Sequence, residues 1–208
     1  YDRKTRDYTV ATDALQSWDI QVQYNRPIGR SHDLVVGAEY RWWRSEFRSL
    51  VAPPATDPTA TLSVANVFAQ DTVRLASDLH LTLGVKVEHN SYTGADVLPN
   101  VRLAWQVADE HVLWSAVSRA VRTPSRIDRE LQGGGFLVPA ESFRNETLTA
   151  FEVGYRGQPT SDTTLSVSAF YNVYDDLRTI GVTPTGQLSF MNDLEGETYG
   201  VEAWGTWD

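Results

Sequence analysis

Four arginines crowd one short stretch of the chain: Arg119, Arg122, Arg126 and Arg129, set around a break at Thr123-Pro124-Ser125. Guanidinium groups gathered in this way do one of two things. They form a basic rim that draws in an anionic ligand by its field and by charge-assisted hydrogen bonds, or they pair with nearby acids such as Asp128, Glu130 and Glu152. Arg126 and Arg129 lie further beyond the break and are the better placed of the four to reach a ligand. The Gly133-Gly134-Gly135 run that follows lacks the Lys-Ser/Thr of a phosphate loop, and no helix follows it. It reads as a flexible loop, and one carrying Phe136, Phe143 and Arg144 could close over a ligand.

Other chemistry finds little support. His32, His80, His89 and His111 are scattered, with no two at metal-ligand spacing. Asp175-Asp176 and the group Asp193, Glu195 and Glu197 lack the pattern of a calcium loop and read as solvated loop charges. Asn145-Glu146-Thr147 fits a glycosylation sequon by chance. No nucleophile elbow, HExxH or paired-carboxylate motif is present, so the expectation is a non-enzyme without a cofactor. The chain has no cysteine, which removes disulfides and thiolate metal sites. A net charge of −9 argues against nucleic acid as a partner.

The elements that must carry the arginines are strands. Trp18, Ile20, Val22 and Tyr24 alternate with Asp19, Gln21, Gln23 and Asn25. Leu34, Val36, Ala38, Tyr40 and Trp42 oppose Glu39 and Arg41, and Leu79 to Glu88 is the cleanest alternation of all. Val101, Leu103, Trp105 and Val107 oppose Arg102, Ala104 and Gln106. Further on, Phe151, Val153 and Tyr155 oppose Glu152 and Arg156. Leu165 to Val173 and Tyr199 to Ala203 repeat the pattern. The run from Leu62 to Leu75 is strand-like, but its faces are ambiguous around Phe68-Ala69-Gln70-Asp71.

About ten strands result, each with an apolar face of about ten residues, the length of a tilted strand crossing a bilayer. The connections sort by end. Those at Gly29, Ser77, Asp109 and Thr160 are short. Those at Pro53, Ala95, Gly134 and Thr185 are longer, with Thr179 to Glu197 expected as a long polar segment. Such sorting, with seven Trp and nine Tyr for interfacial girdles, fits a transmembrane barrel. No apolar run approaches the length of a membrane helix. The start, Tyr1-Asp2-Arg3-Lys4, is not a signal peptide, and the end falls inside an alternating run, so the sequence reads as a piece of a longer protein.

Trp114 to Arg126, with its S-R-A-x-R-T-P-S-R core, resembles a run common in the barrels of TonB-dependent outer-membrane receptors. Asn145 to Arg156 is similar to that family's E-x-L-x-x-[YF]-E-x-G-x-[RK] strand, and Ala169 to Leu177 to its A-x-F-Y-N-x-Y-x-D-L strand. Phe68-Ala69-Gln70-Asp71 and Gly196 to Glu202 resemble two further elements, F-x-Q-D and G-x-x-x-G-x-E. The resemblance implies an all-β antiparallel barrel in the bacterial outer membrane, with short periplasmic turns and long extracellular loops. Residues 1–208 would be part of a single barrel domain, somewhat under half of it, with the plug absent.

The family implies binding and import of a scarce nutrient, most often a ferric siderophore. Outer-membrane lipid surrounds the wall, and the TonB complex acts only through the missing plug. Trp43, Arg48, Arg126, Arg129, Phe136 and Arg144 are the expected ligand contacts. Two alternatives predict differently: a soluble all-β module gripping carbohydrate with its aromatics, and a small self-contained porin without a plug.

Overall fold

The computed structural model describes residues 1–8, 11–49 and 57–207. Ten strands follow in chain order: β1 (Asp2–Asp7), β2 (Ala11–Ile28), β3 (His32–Ser49), β4 (Thr59–Arg74), β5 (Leu79–Asn90), β6 (Gly94–Ala108), β7 (His111–Arg122), β8 (Glu146–Thr160), β9 (Thr163–Val182) and β10 (Leu188–Trp207). One short helix, α1 (Arg126–Glu130), sits between β7 and β8. Every strand pairs antiparallel with its sequence neighbours in a single meander. Among the described residues β1 pairs only with β2, and β10 only with β9, so the sheet has two open edges.

Register turns the alternating sequence into two continuous surfaces. Val22 lies opposite Ala38, Ala38 opposite Val67, Val67 opposite Val87, and Val87 opposite Val97. Further round, Tyr155 lies opposite Val167, and Val153 opposite Ala169, which faces Val201. None of these side chains is buried, and the most open are Val22 at 65% accessible, Val67 at 58% and Val201 at 71%. An apolar surface of this extent is not one that water covers favourably, and its alternation is that of the outward band of a barrel.

One residue out of step in every strand, the other face is polar. Gln21, Glu39, Asn66, Glu88 and Asp96 form one cross-strand row on it. Asp19 accepts from Arg41 Nε at 2.8 Å, Glu39 from Asn66 at 3.1 Å, and Glu88 from Lys86 at 2.8 Å. The ambiguity around Phe68 is resolved by register: Ala65, Val67 and Ala69 join the apolar face, while Asn66, Phe68 and Gln70 join the polar one.

Aromatic rings on the inner face lie over glycines directly opposite them: Phe68 over Gly37, Trp114 over Gly154 and Phe170 over Gly200. A Cβ at any of the three would strike the ring. The glycine leaves a hollow in the pleat and the ring fills it, which fixes register and keeps large groups flat against the wall. Gly154→Val is expected to displace Trp114 and destabilise the sheet by about 1–3 kcal/mol, the usual cost of overpacking. Thermal melting of the folded protein, read by loss of the heat-modifiable gel band, checks it. An unchanged melting temperature would refute the packing role.

The short turns fall where the sequence puts them, at 29–31, 75–78, 109–110 and 161–162. Trp105 anchors this rim, its indole N–H donating to Asp78 at 3.0 Å. At the other rim the structure corrects two expected loops. Ala95 lies inside β6, opposite His89, and the β5–β6 connection is a turn at 91–93. Thr185 sits in a tight turn at 183–187, because β9 and β10 each continue for 20 residues. The segment from Thr179 to Glu197 is therefore mostly a strand pair. It lacks clean alternation because this part of the hairpin carries polar groups on both faces and is interrupted by register shifts around Leu194. Pro53 lies outside the described residues. The connection around Gly134 is long as expected, and it is the part that builds the site.

Candidate functional site

The β7–β8 connection is held down by a network centred on one carboxylate. Pro124, with no N–H to donate, ends the ladder after Arg122. Ser125 then caps α1: its hydroxyl accepts from the Asp128 amide, and Asp128 accepts from the Ser125 amide at 2.8 Å, a reciprocal capping box. Asp128 is completely buried. It also accepts from Arg122 at 3.0 Å and from Arg178 of β9 at 2.8 Å. Glu146 binds the Arg122 guanidinium and accepts from the Arg178 amide, closing the ring of charges. Burial by itself would raise the Asp128 pKa. The Ser125 amide and the two guanidinium groups outweigh it and hold the acid at about 2.

α1 has two sides. On one, Arg126 donates to Glu130 at 2.9 and 2.6 Å, to Ser45 of β3 at 3.1 Å and to the Asp57 carbonyl at 2.5 Å. Glu130 also accepts from the Tyr92 hydroxyl at 2.5 Å, and burial together with this carboxylate pushes the Tyr92 phenol above its usual pKa. Arg129 donates to the Phe143 carbonyl at 2.7 Å and lies over the Tyr92 ring, 5.5 Å from its centre. Phe143 is fully buried. Beyond it, Asn145 joins Thr93 at 2.8 Å and also bonds Asp96. The glycine run forms a turn closed between Gly133 and Leu137, and Phe136 and Val138 hydrogen-bond to Leu188 of β10 at 2.7 and 2.9 Å. The expected flexible loop is thus tied by backbone bonds to the β9–β10 hairpin.

The six expected contacts are distributed unevenly. Arg129 and Arg144 line one cavity of about 340 Å³ with Tyr92, Asp96, Arg119 and Asn145. Arg144 is open to solvent and pairs with Asp176 at 2.6 Å. Trp43 and Arg126 line a different cavity, between α1 and the inner face of β3. Phe136 is 62% exposed at the tip of the connection. Arg48 stands at the outer end of β3 opposite Thr12, in step with Trp42, and so belongs to the outward face away from the other five. The central roles of Asp128 and Tyr92 are the main additions. The Ser-x-x-Asp spacing signals the first, and nothing local signals the second. Among the described residues no acid or histidine cluster could hold a metal ion.

A sheet with an outward apolar belt, a polar inner wall and a folded rim of paired arginines and acids is the wall of an outer-membrane receptor barrel. The chain belongs to the TonB dependent receptor-like β-barrel family, whose model matches residues 1–208, and its place is the bacterial outer membrane. It is similar to the iron-regulated outer membrane virulence protein of Vibrio cholerae serotype O1, 26% identical over 156 residues, 65% of this chain and 24% of that protein. The siderophore receptor PirA of Acinetobacter baumannii shares its fold at a TM-score of 0.79 and 17% identity, over 95% of this chain and 35% of that one. So does the Serratia marcescens hemophore receptor HasR, at a TM-score of 0.79 and 16% identity, over 95% of this chain and 40% of that one. The chain spans well under half the length of each of these relatives.

Proposed function

We propose that this chain forms the ligand-facing wall of a receptor that binds a ferric siderophore at its outer rim and imports it with energy from the TonB complex. The observation that carries the reading is the rim cavity lined by Arg129 and Arg144, which Arg119 borders from the outward face of β7. Arg144 is exposed and gives one end of its guanidinium to Asp176, which leaves further N–H donors for a bulky anionic chelate. The names of the similar proteins, iron-regulated in one case and siderophore receptor in another, favour the same ligand class. In this reading all 208 residues are part of one barrel domain, and the plug that gates transport and meets TonB belongs to the whole receptor.

The test is equilibrium binding of a panel of ferric siderophores to the full-length receptor in lipid nanodiscs. Arg144→Ala is expected to weaken the bound chelate about tenfold or more, since a lost charge-assisted bond removes about 1.5–3 kcal/mol. Failure of every ferric siderophore to bind, or equal binding by wild type and variant, would overturn the assignment.

A further inference from the structure

The second rim cavity has a different chemistry from the first. It measures about 520 Å³ and lies between α1 and the inner face of β2 and β3. Its walls are mostly apolar: Leu15, Trp43 and Phe47 from the sheet, Ile127 from the helix, Leu131 from its C-cap, and the Tyr8 ring at the edge. Ile127 and Leu131 are four residues apart and share one side of the helix. Yet Ile127 remains 55% exposed, while Asp128 beside it is completely buried. The helix has taken its carboxylate inward and left a branched apolar side chain lining the cavity.

The polar groups at the margin do not favour an anion. Arg126 is the one cation of the lining among the described residues, and its guanidinium is committed to Glu130, Ser45 and the Asp57 carbonyl. Asp13 adds a negative charge. A volume of this size lies within the range of about 300–1,000 Å³ typical of small-molecule sites. Three aromatic rings around it supply edges and faces for another ring.

We propose that this cavity is a subsite for an uncharged aryl group carried by the receptor's ligand, separate from the anionic part that the Arg129–Arg144 cavity takes. The proposal rests on the receptor reading and narrows its substrate class. The ligand is amphiphilic, with its charge and its ring recognised on opposite sides of α1.

The probe is 4-fluorobenzyl alcohol, followed by ¹⁹F line broadening with the full-length receptor in lipid nanodiscs, with 4-fluorobenzoate as its charged counterpart. Ile127→Trp fills the cavity, and Phe47→Glu places a charge in it. Each variant is first confirmed as folded by its heat-modifiable gel mobility. Binding of the alcohol is expected in wild type and at least fivefold weaker in both variants, with the benzoate no tighter than the alcohol. Equal broadening in wild type and both folded variants would overturn the subsite, whether lipid takes up the probe or another segment of the receptor fills the space. Tighter binding of the benzoate would overturn its uncharged character. Ferric siderophore binding is measured on the same samples. Chelate binding without probe binding sinks this inference alone, and probe binding without any chelate sinks the receptor reading while leaving an aryl site in place.

Discussion

Replacing Asp128 by Ala is expected to release the β7–β8 connection from the barrel while leaving the ten-stranded sheet paired. The carboxylate accepts from a backbone amide, a hydroxyl and two guanidinium groups, and it has no exposure to water. Its loss removes the reciprocal cap of α1, which by itself costs about 0.5–2 kcal/mol, and leaves Arg122 and Arg178 crowded with one acid fewer. Both guanidinium groups are nearly half exposed, so water screens part of that penalty. Together the effects amount to roughly 2–4 kcal/mol of local stability. Hydrogen exchange at Arg129, Leu131 and Phe143 should accelerate at least tenfold, while the amides of β5 and β6 stay protected. Unchanged exchange across the connection would refute Asp128 as its anchor.

The same group sets a pH dependence. The Asp128 pKa is lowered from 3.8 to about 2, so its contribution is fully present above about 4 and is lost as pH falls through about 2. A shift of that size corresponds to roughly 2 kcal/mol. Near neutral pH the anchor is fully charged and insensitive to pH.

The faces of the sheet were legible in the sequence because a bilayer-crossing strand must put every second side chain into lipid. Leu34, Val36, Ala38, Tyr40 and Trp42 share one face as alternation demands, as do Leu165 to Val173. Alternation stops informing once a strand leaves the membrane, since both faces then meet water or other loops. That is why the outer half of the β9–β10 hairpin reads as polar loop although its backbone stays paired. Phe68 to Asp71 was ambiguous for another reason: a large ring faces inward over Gly37, and an acid faces outward beside His32, 2.7 Å away. α1 is five residues long, too short for a 3.6-residue period to show, and only its capping spacing betrays it. The pairing of arginines with acids is partly visible at short range, as between Arg126 and Glu130. It is invisible where Arg178 reaches Asp128, 50 residues away, and so are the bonds from Arg126 to the Ser45 hydroxyl and the Asp57 backbone carbonyl.

A charge placed on the belt should prevent the barrel from holding its place in the membrane, whereas the same charge one strand-face away should not. Val67 lies in the middle of β4 between Ala38 and Val87, on the row that continues to Val97. Val67→Arg would put a guanidinium at the depth where lipid-facing Arg costs about 2–4 kcal/mol. No acid lies across from it on either neighbouring strand to offset the cost. Gln21→Arg is the matched control. Gln21 lies on the polar face directly opposite Glu39, so the added charge gains an opposite partner across the strands. Reversible unfolding of the full receptor from lipid vesicles should show the Val67 variant destabilised by the amount given and the Gln21 variant within about 0.5 kcal/mol of wild type. The contrast, rather than either value, is the decisive reading. If both variants behaved alike, the outward row would not be in lipid, and the assignment of faces on which the site's orientation depends would fall with it.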